Sequence, residues 1–165
     1  MKQMFKLLFF LLVGPGSVIF YIPYFLLFYS GPADLIKAEN LQYIGVLAIL
    51  AGSLVSLKCF FDFIFTGQGT PVPIDPPKKL VVSGLYRLSR NPMYIGILII
   101  LFGEAILFRS LILIGYTVLV FCLFQIFIIC FEEPFLDQKF GKKYNDYCNV
   151  VPRWIAHLKK TNSFH

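Results

Sequence analysis

Two polar, aromatic-rich segments interrupt a chain that is otherwise apolar, and their spacing restricts the fold more than any other feature. The first, 80–96, reads Leu-Val-Val-Ser-Gly-Leu-Tyr-Arg-Leu-Ser-Arg-Asn-Pro-Met-Tyr-Ile-Gly. The second, 132–148, reads Glu-Glu-Pro-Phe-Leu-Asp-Gln-Lys-Phe-Gly-Lys-Lys-Tyr-Asn-Asp-Tyr-Cys, and Val151, Pro152, Arg153 and Trp154 follow it closely. The apolar stretch between them, 97–131, has the length of a helical hairpin. A hairpin returns the chain to the side it left. Both segments are therefore expected at one membrane face, where two charged and aromatic clusters converge on a single active site.

Composition agrees with a membrane location. The chain of 165 residues is 58% hydrophobic and 15% charged, holds 19 Phe, and has a mean hydropathy of +0.74. A soluble domain of that size has too little interior to hide so much apolar surface. The net charge of +6 does not point to nucleic acid, because the basic residues fall between apolar spans rather than on one face of a soluble module. The length suits one domain, 1–165, with a motif-bearing core at 67–154.

Four spans are predicted: 5–29, 41–65, 93–108 and 110–131. A helix of about 20 residues crosses the hydrocarbon core, so the third is short and should begin earlier or sit in a thinned bilayer. The first has Lys2 and Lys6 ahead of an apolar run, as a signal peptide does. No small-residue cleavage pattern ends it, so a retained anchor is expected. Pro15 and Pro23 should bend or break this helix, which would raise the count to five. The fold class is thus all-α, a polytopic helical bundle.

Placing the N-terminus inside leaves Lys2, Lys6, Lys78, Lys79, Arg87, Arg90, Lys139, Lys142, Lys143, Arg153, Lys159 and Lys160 on the inner side, against only Lys37 and Arg109 outside. That asymmetry sets the orientation: both termini and both polar segments face the cytoplasm. Lys58 and Asp62, four residues apart, are suited to pair on one helical face, the alternative being that they line the site. Glu104, a carboxylate within a span, calls for a partner such as a hydroxyl or Arg109.

Several chemistries find no support. Cys59, Cys122, Cys130 and Cys148 form no CxxC pair or His/Cys cluster, so neither a disulfide framework nor a metal is expected. There is no nucleophilic triad, phosphate-binding loop or strand-framed glycine motif. The stretch 67–79, rich in Pro and Gly, excludes a regular helix. It leads to Gly84, which permits a tight turn, and to Asn91-Pro92, which reads as a helix start. The free backbone N–H groups there, with Arg87 and Arg90 nearby, would suit a carboxylate or phosphate.

Taken together, Gly84, Tyr86, Arg90, Asn91, Pro92, Tyr94 and Gly96, followed after the hairpin by Glu132, Glu133, Leu136, Phe140, Gly141, Tyr144 and Tyr147, resemble the isoprenylcysteine carboxyl methyltransferase family and its phospholipid methyltransferase relatives. Gly69-Thr70-Pro71, Pro76-Pro77 and Val151-Pro152-Arg153 look like bacterial members, which would place the protein in a bacterial inner membrane. The resemblance covers 67–154. It implies an S-adenosylmethionine-dependent methyltransferase without a Rossmann domain, with a cytosolic cofactor pocket and a lipid-side opening for a lipophilic acceptor. Carried over by position, Lys78, Lys79, Leu80, Val81, Gly84, Tyr86, Asn91, Pro92, Met93, Tyr94 and Glu132 would bind the cofactor. Arg90 and Glu133 would be the catalytic or acceptor-facing pair. Asn91 stands where the eukaryotic prenylcysteine enzymes have His, so it can hydrogen-bond but cannot act as an acid or base. The motifs leave two acceptors open, a prenylcysteine-like carboxylate or a lipid amine. Two other functions compete: an NADPH-dependent enzyme related to the sterol reductases, for which the chain is short, and a non-catalytic scaffold or transporter.

Overall fold

The computed structural model describes residues 14–30, 40–67 and 79–154, and every regular element among them is helical. Lys78, most of the 67–79 stretch, and Lys2, Lys6, Lys37, Lys159 and Lys160 lie outside the described residues. The elements are α1 (Ile22–Ser30), α2 (Leu41–Asp62), α3 (Pro92–Leu107), α4 (Leu111–Phe127), α5 (Glu133–Phe140) and α6 (Lys142–Val150). Wider π-helical turns precede α1 (Ser17–Tyr21), extend α2 (Phe63–Gly67) and join α4 to α5 (Ile128–Glu132).

Two continuous helices, Leu41–Gly67 and Leu111–Phe140, are long and apolar enough to cross a membrane. Only 17% and 22% of their apolar windows are buried, whereas the core helix of a soluble protein is mostly buried. Leu47, Leu50 and Leu54 on α2, and Val118, Leu119 and Leu123 on α4, are exposed. Such surface requires lipid around it, so this is a membrane protein. Ser17–Tyr29 and Pro92–Leu107 are shorter apolar helices.

Two boundaries differ from the sequence expectation. Pro23 does not break its helix. The π turn immediately before it, closed by Ile22 N–H to the Ser17 carbonyl, widens the backbone where the proline ring would otherwise meet the preceding turn. The fourth helix, in turn, does not stop at Phe131: it continues through both glutamates to Phe140 and ends at Gly141, whose φ of 52° few other residues tolerate. The third span does start at a proline, as Asn91-Pro92 suggested.

The chain divides into two compact units. One comprises Met1–Val55 and Gly96–Leu123, the other Ser56–Ile95 and Phe124–His165. In the first, α2 and α3 run antiparallel and touch backbone to backbone. A Cβ on Gly45 would lie 2.8 Å from the Gly103 carbonyl oxygen, and one on Gly103 would lie 2.8 Å from that of Gly45. A Cβ on Gly52 would lie 2.6 Å from the Gly96 carbonyl oxygen. The seven-residue spacing on each helix puts both contacts on one seam, the small-residue packing that helices use where lipid provides no hydrophobic drive. Leu101, Ala105 and Leu113 are almost wholly buried in this unit. Glu104 is buried too, with its Oε2 lacking a hydrogen-bond partner among the described residues.

Candidate functional site

The polar segments meet in the second unit, and three of the contacts that join them are made by main chain. After the 3-10 turn Gly84–Arg87, the stretch 89–91 runs beside the residues that follow α6. Arg90 N–H donates to the Pro152 carbonyl at 2.9 Å, Ser89 Oγ to the Arg153 carbonyl at 3.0 Å, and Asn91 Nδ2 to the same oxygen at 3.1 Å. The Asn91 backbone N–H is taken by Ser89 Oγ at 3.2 Å. Asn91 is only 6% exposed, so its amide holds the C-terminal segment in place. Ser89 was not expected at the site; no charge or aromatic ring marks it in the sequence.

Glu133 sits between two guanidiniums. Arg153 grips it in two-pronged fashion, Nε to Oε1 at 2.8 Å and Nη2 to Oε2 at 2.7 Å, while Arg90 Nη1 lies 3.0 Å from Oε1. The planar fork of arginine matches a carboxylate in this way. Glu133 raises the basicity of Arg153 further, chiefly through that hydrogen bond. Arg90 Nη1 also donates to Cys148 Sγ at 2.9 Å, and its Nε is buried without a hydrogen-bond partner among the described residues. Arg90 is therefore turned toward Glu133 and α6.

Glu132 behaves differently from its neighbour. It receives one hydrogen bond, from Tyr94 Oη to Oε2 at 2.8 Å, and its other oxygen has none among the described residues. This bond joins the first motif to the second directly. Tyr94 is itself fixed by Phe124, whose ring centroid is 4.6 Å from its own. Trp154 Nε1 donates to Gln125 Oε1 at 2.6 Å, the residue next to Phe124 along α4.

The remaining expected residues divide between support and exposure. Tyr86 is buried, and its carbonyl accepts the Tyr147 hydroxyl at 2.6 Å. Leu80 packs on the cluster of Tyr144, Tyr147 and Val151. Burial pushes the phenols of Tyr86, Tyr144 and Tyr147 well above the usual tyrosine range, so all three stay neutral. Val81 and Pro92 are buried, Met93 is half-buried, and Lys79 and Gly84 are exposed. Gly84 opens its turn at φ 60°, which bears out the tight turn expected there. Lys58 and Asp62 do form an ion pair along α2. No group of three or more metal-ligating side chains occurs among the described residues.

An α-helical membrane protein whose two polar motifs interlock in this way defines a class, and comparison with known proteins identifies it. The family model for phospholipid methyltransferase matches residues 41–143, and the chain belongs to that family. It is similar to a probable protein-S-isoprenylcysteine O-methyltransferase of Oryza sativa subsp. indica, with 28% identity over 115 residues, 67% of this chain and 58% of that protein. It is also similar to the protein-S-isoprenylcysteine O-methyltransferases B and A of Arabidopsis thaliana. Identity is 37% over 78 residues with B (47% of this chain, 39% of that protein) and 38% over 73 with A (44% and 36%). The chain thus spans little more than half the length of the rice relative. No solved structure matches it.

Proposed function

We propose that the protein is an S-adenosylmethionine-dependent methyltransferase that modifies a lipophilic acceptor at the cytoplasmic edge of the membrane, with four spans and both termini inside. The observation that carries this reading is the Tyr94–Glu132 hydrogen bond, which joins the two motifs and leaves one carboxylate oxygen uncommitted. The residues present fit the cofactor. Glu132 would accept from its ammonium or ribose hydroxyls, and the rings of Tyr94 and Tyr86 offer faces suited to adenine or a cationic sulfonium. Lys79, Leu80, Val81, Gly84, Asn91, Pro92 and Met93 would complete the binding segment, with Lys78 beside them. When bound, the cofactor supplies an electrophilic methyl group for in-line displacement.

The chain's own contribution is placement. Asn91, Ser89 and Arg90 N–H tie the start of α3 to the residues after α6, which fixes Tyr94 and Glu132 in register. Arg90 and Glu133 keep their proposed place near the acceptor, but with a defined part. Because both Glu133 oxygens are held by guanidiniums, its hydrogen-bonding capacity is engaged within the chain and it serves to brace the wall. A carboxylate acceptor needs no base. An amine acceptor must lose a proton, and the free oxygen of Glu132 is the carboxylate suited to take it.

Transfer from methyl-labelled S-adenosylmethionine tests the reading, with N-acetyl farnesylcysteine as one acceptor and phosphatidylethanolamine vesicles as the other. Base-labile label on the first marks a carboxyl ester; base-stable label on the second marks N-methylation. No transfer to either, with no S-adenosylhomocysteine binding, would refute it.

A further inference from the structure

Gln125 is a feature of α4 that neither motif accounts for. From Val118 to Phe131 it is the single residue with an amide, hydroxyl or charge, in a helix otherwise fit for lipid. A polar group there is costly unless it is hydrogen-bonded. Its partner is Trp154, whose Nε1 donates to Oε1. An indole N–H can only donate, so the bond also decides which way the amide faces. The C-terminal segment thus lays a large ring against the span.

The π turn Ile128–Glu132 explains how one short segment reaches both Gln125 and Glu133. These two residues are eight apart, as are Phe124 and Glu132. Eight residues of unbroken α-helix leave side chains about 80° apart, whereas one α turn followed by one wider turn brings them into line. The contacts show that alignment. Tyr94 meets both Phe124, at 4.6 Å between ring centroids, and Glu132. The consecutive residues Arg153 and Trp154 meet Glu133 and Gln125. Of residues 121–131, only Phe124, Gln125 and Ile128 are covered; the rest are exposed. This side of α4 therefore carries two neighbouring files, Phe124 with Glu132 and Gln125 with Glu133. At a rise of about 1.5 Å per residue, Trp154 is seated about 12 Å from the glutamates, toward the apolar span.

On the methyltransferase reading, on which this inference rests, an acceptor reacts beside Glu132 and its apolar tail must leave toward the hydrocarbon. One direction from the glutamates holds α5 and α6 with the exposed Lys139, Lys142 and Lys143, where no such tail belongs. The other leads back along α4, past the Tyr94–Phe124 ring pair and the indole of Trp154. We propose that Trp154 selects the acceptor by its tail, a long hydrocarbon chain of either a prenyl thioether or a phospholipid. Its half-exposed ring flanks the chain, and Gln125 is the positioning residue that keeps the ring from swinging aside.

The test is methyl transfer by the full chain in detergent to two pairs of acceptors. One pair is N-acetyl farnesylcysteine and N-acetyl geranylgeranylcysteine; the other is phosphatidylethanolamine with short and with long acyl chains. The pair that the native protein modifies identifies the source of the tail and gives its preference. Trp154→Ala should change the ratio of kcat/KM between the two tails about tenfold, through KM rather than kcat. Gln125→Leu keeps the ring but releases it, and should change the ratio in the same direction by less. It makes the span more apolar, so it folds even where Trp154→Ala does not. S-adenosylhomocysteine affinity, by calorimetry, should stay within about twofold in both, because Arg153 still grips Glu133. Trp154 is the only tryptophan in the chain, so native fluorescence gives a second readout. A tailed acceptor should shift its emission with a midpoint at that acceptor's KM. An unchanged ratio in either variant, or a loss of S-adenosylhomocysteine binding equal to the loss of transfer, overturns the selection by Trp154 and leaves the methyltransferase intact. Failure of the native protein to bind S-adenosylhomocysteine or to modify either pair removes both.

Discussion

Two parts of this molecule hold their helices together by opposite means. In the unit built from Met1–Val55 and Gly96–Leu123, α2 and α3 meet where side chains are absent, at Gly45 with Gly103 and at Gly52 with Gly96. In the unit built from Ser56–Ile95 and Phe124–His165, the contacts that matter are charged or hydrogen-bonded: Glu133 with Arg90 and Arg153, Tyr94 with Glu132, Tyr147 with the Tyr86 carbonyl. The contrast follows from the surroundings. Among lipid tails apolar side chains gain nothing by leaving the solvent, so close backbone approach supplies the attraction. Where water and headgroups are available, arginine and tyrosine can give direction as well as attraction. Direction is what a site for a multi-group cofactor requires, and shape alone suffices for a scaffold.

The steric half is the easier to break. Gly103→Leu drives a side chain into the Gly45 carbonyl and the Ile49 backbone, and neither can move aside. We expect a loss of about 3 kcal/mol or more, read as a drop in the detergent unfolding midpoint or as failure to accumulate. A larger residue at Gly115, where a Cβ would meet nothing within 4 Å, should cost almost nothing and serves as the control.

The polar half should respond by which charge is removed. Glu133→Ala leaves Arg90 and Arg153 facing each other uncompensated, and should cost about 2 kcal/mol, reduced from the fully buried case by partial solvent access. Arg153→Ala removes one of two partners and should cost less. The reverse ranking in denaturant titrations would show that Glu133 is not the centre of the cluster.

Asn91→Ala should cost about 1 kcal/mol, because a single amide hydrogen bond to the Arg153 carbonyl is lost. Its larger signature should be in cofactor affinity, since the bond sets the start of α3. Equal affinity in the variant would show that the ties from Ser89 and Arg90 N–H hold the register alone.

The smallest effect concerns alkaline pH. The buried phenols of Tyr86, Tyr144 and Tyr147 have folded-state pKa values raised above the unfolded value near 10. Their neutral form is fully compatible with the fold below that pH, and the stability is lost as pH rises beyond it, because the unfolded chain ionises first. Tyrosinate absorbance should therefore appear together with unfolding rather than before it. Tyr147→Phe should lower the midpoint slightly, by loss of the bond to the Tyr86 carbonyl.

How legible these features were in the sequence depended on how far the signal reached along the chain. The convergence of 80–96 with 132–154 was readable, because hydrophobic length alone predicts a hairpin that returns. The Lys58–Asp62 pair and the helix start at Pro92 were readable for the same reason: each is encoded within one turn. The glycine seam was not, since a lone glycine on a membrane helix does not say which helix it touches. The grip of Arg153 on Glu133 was not readable either, since the two lie twenty residues apart along the chain. Arg90 was expected to reinforce an anion site at the start of α3; its guanidinium instead pairs with Glu133 and Cys148, because a carboxylate brought close by folding outcompetes an open helix end. The extra helix through Glu132 and Glu133 also escaped notice, as the polarity of those residues reads locally as the end of a span.

The central claim is that one cofactor site is built from both motifs, with Glu132 as the carboxylate that reaches it. Its most direct test is titration of the detergent-purified protein with S-adenosylhomocysteine, with Glu132→Gln alongside and NADPH as the competing ligand. Micromolar binding by the native protein, lost in the variant and absent with NADPH, is the expected result. Binding of NADPH alone, or S-adenosylhomocysteine binding that Glu132→Gln leaves unchanged, would contradict it.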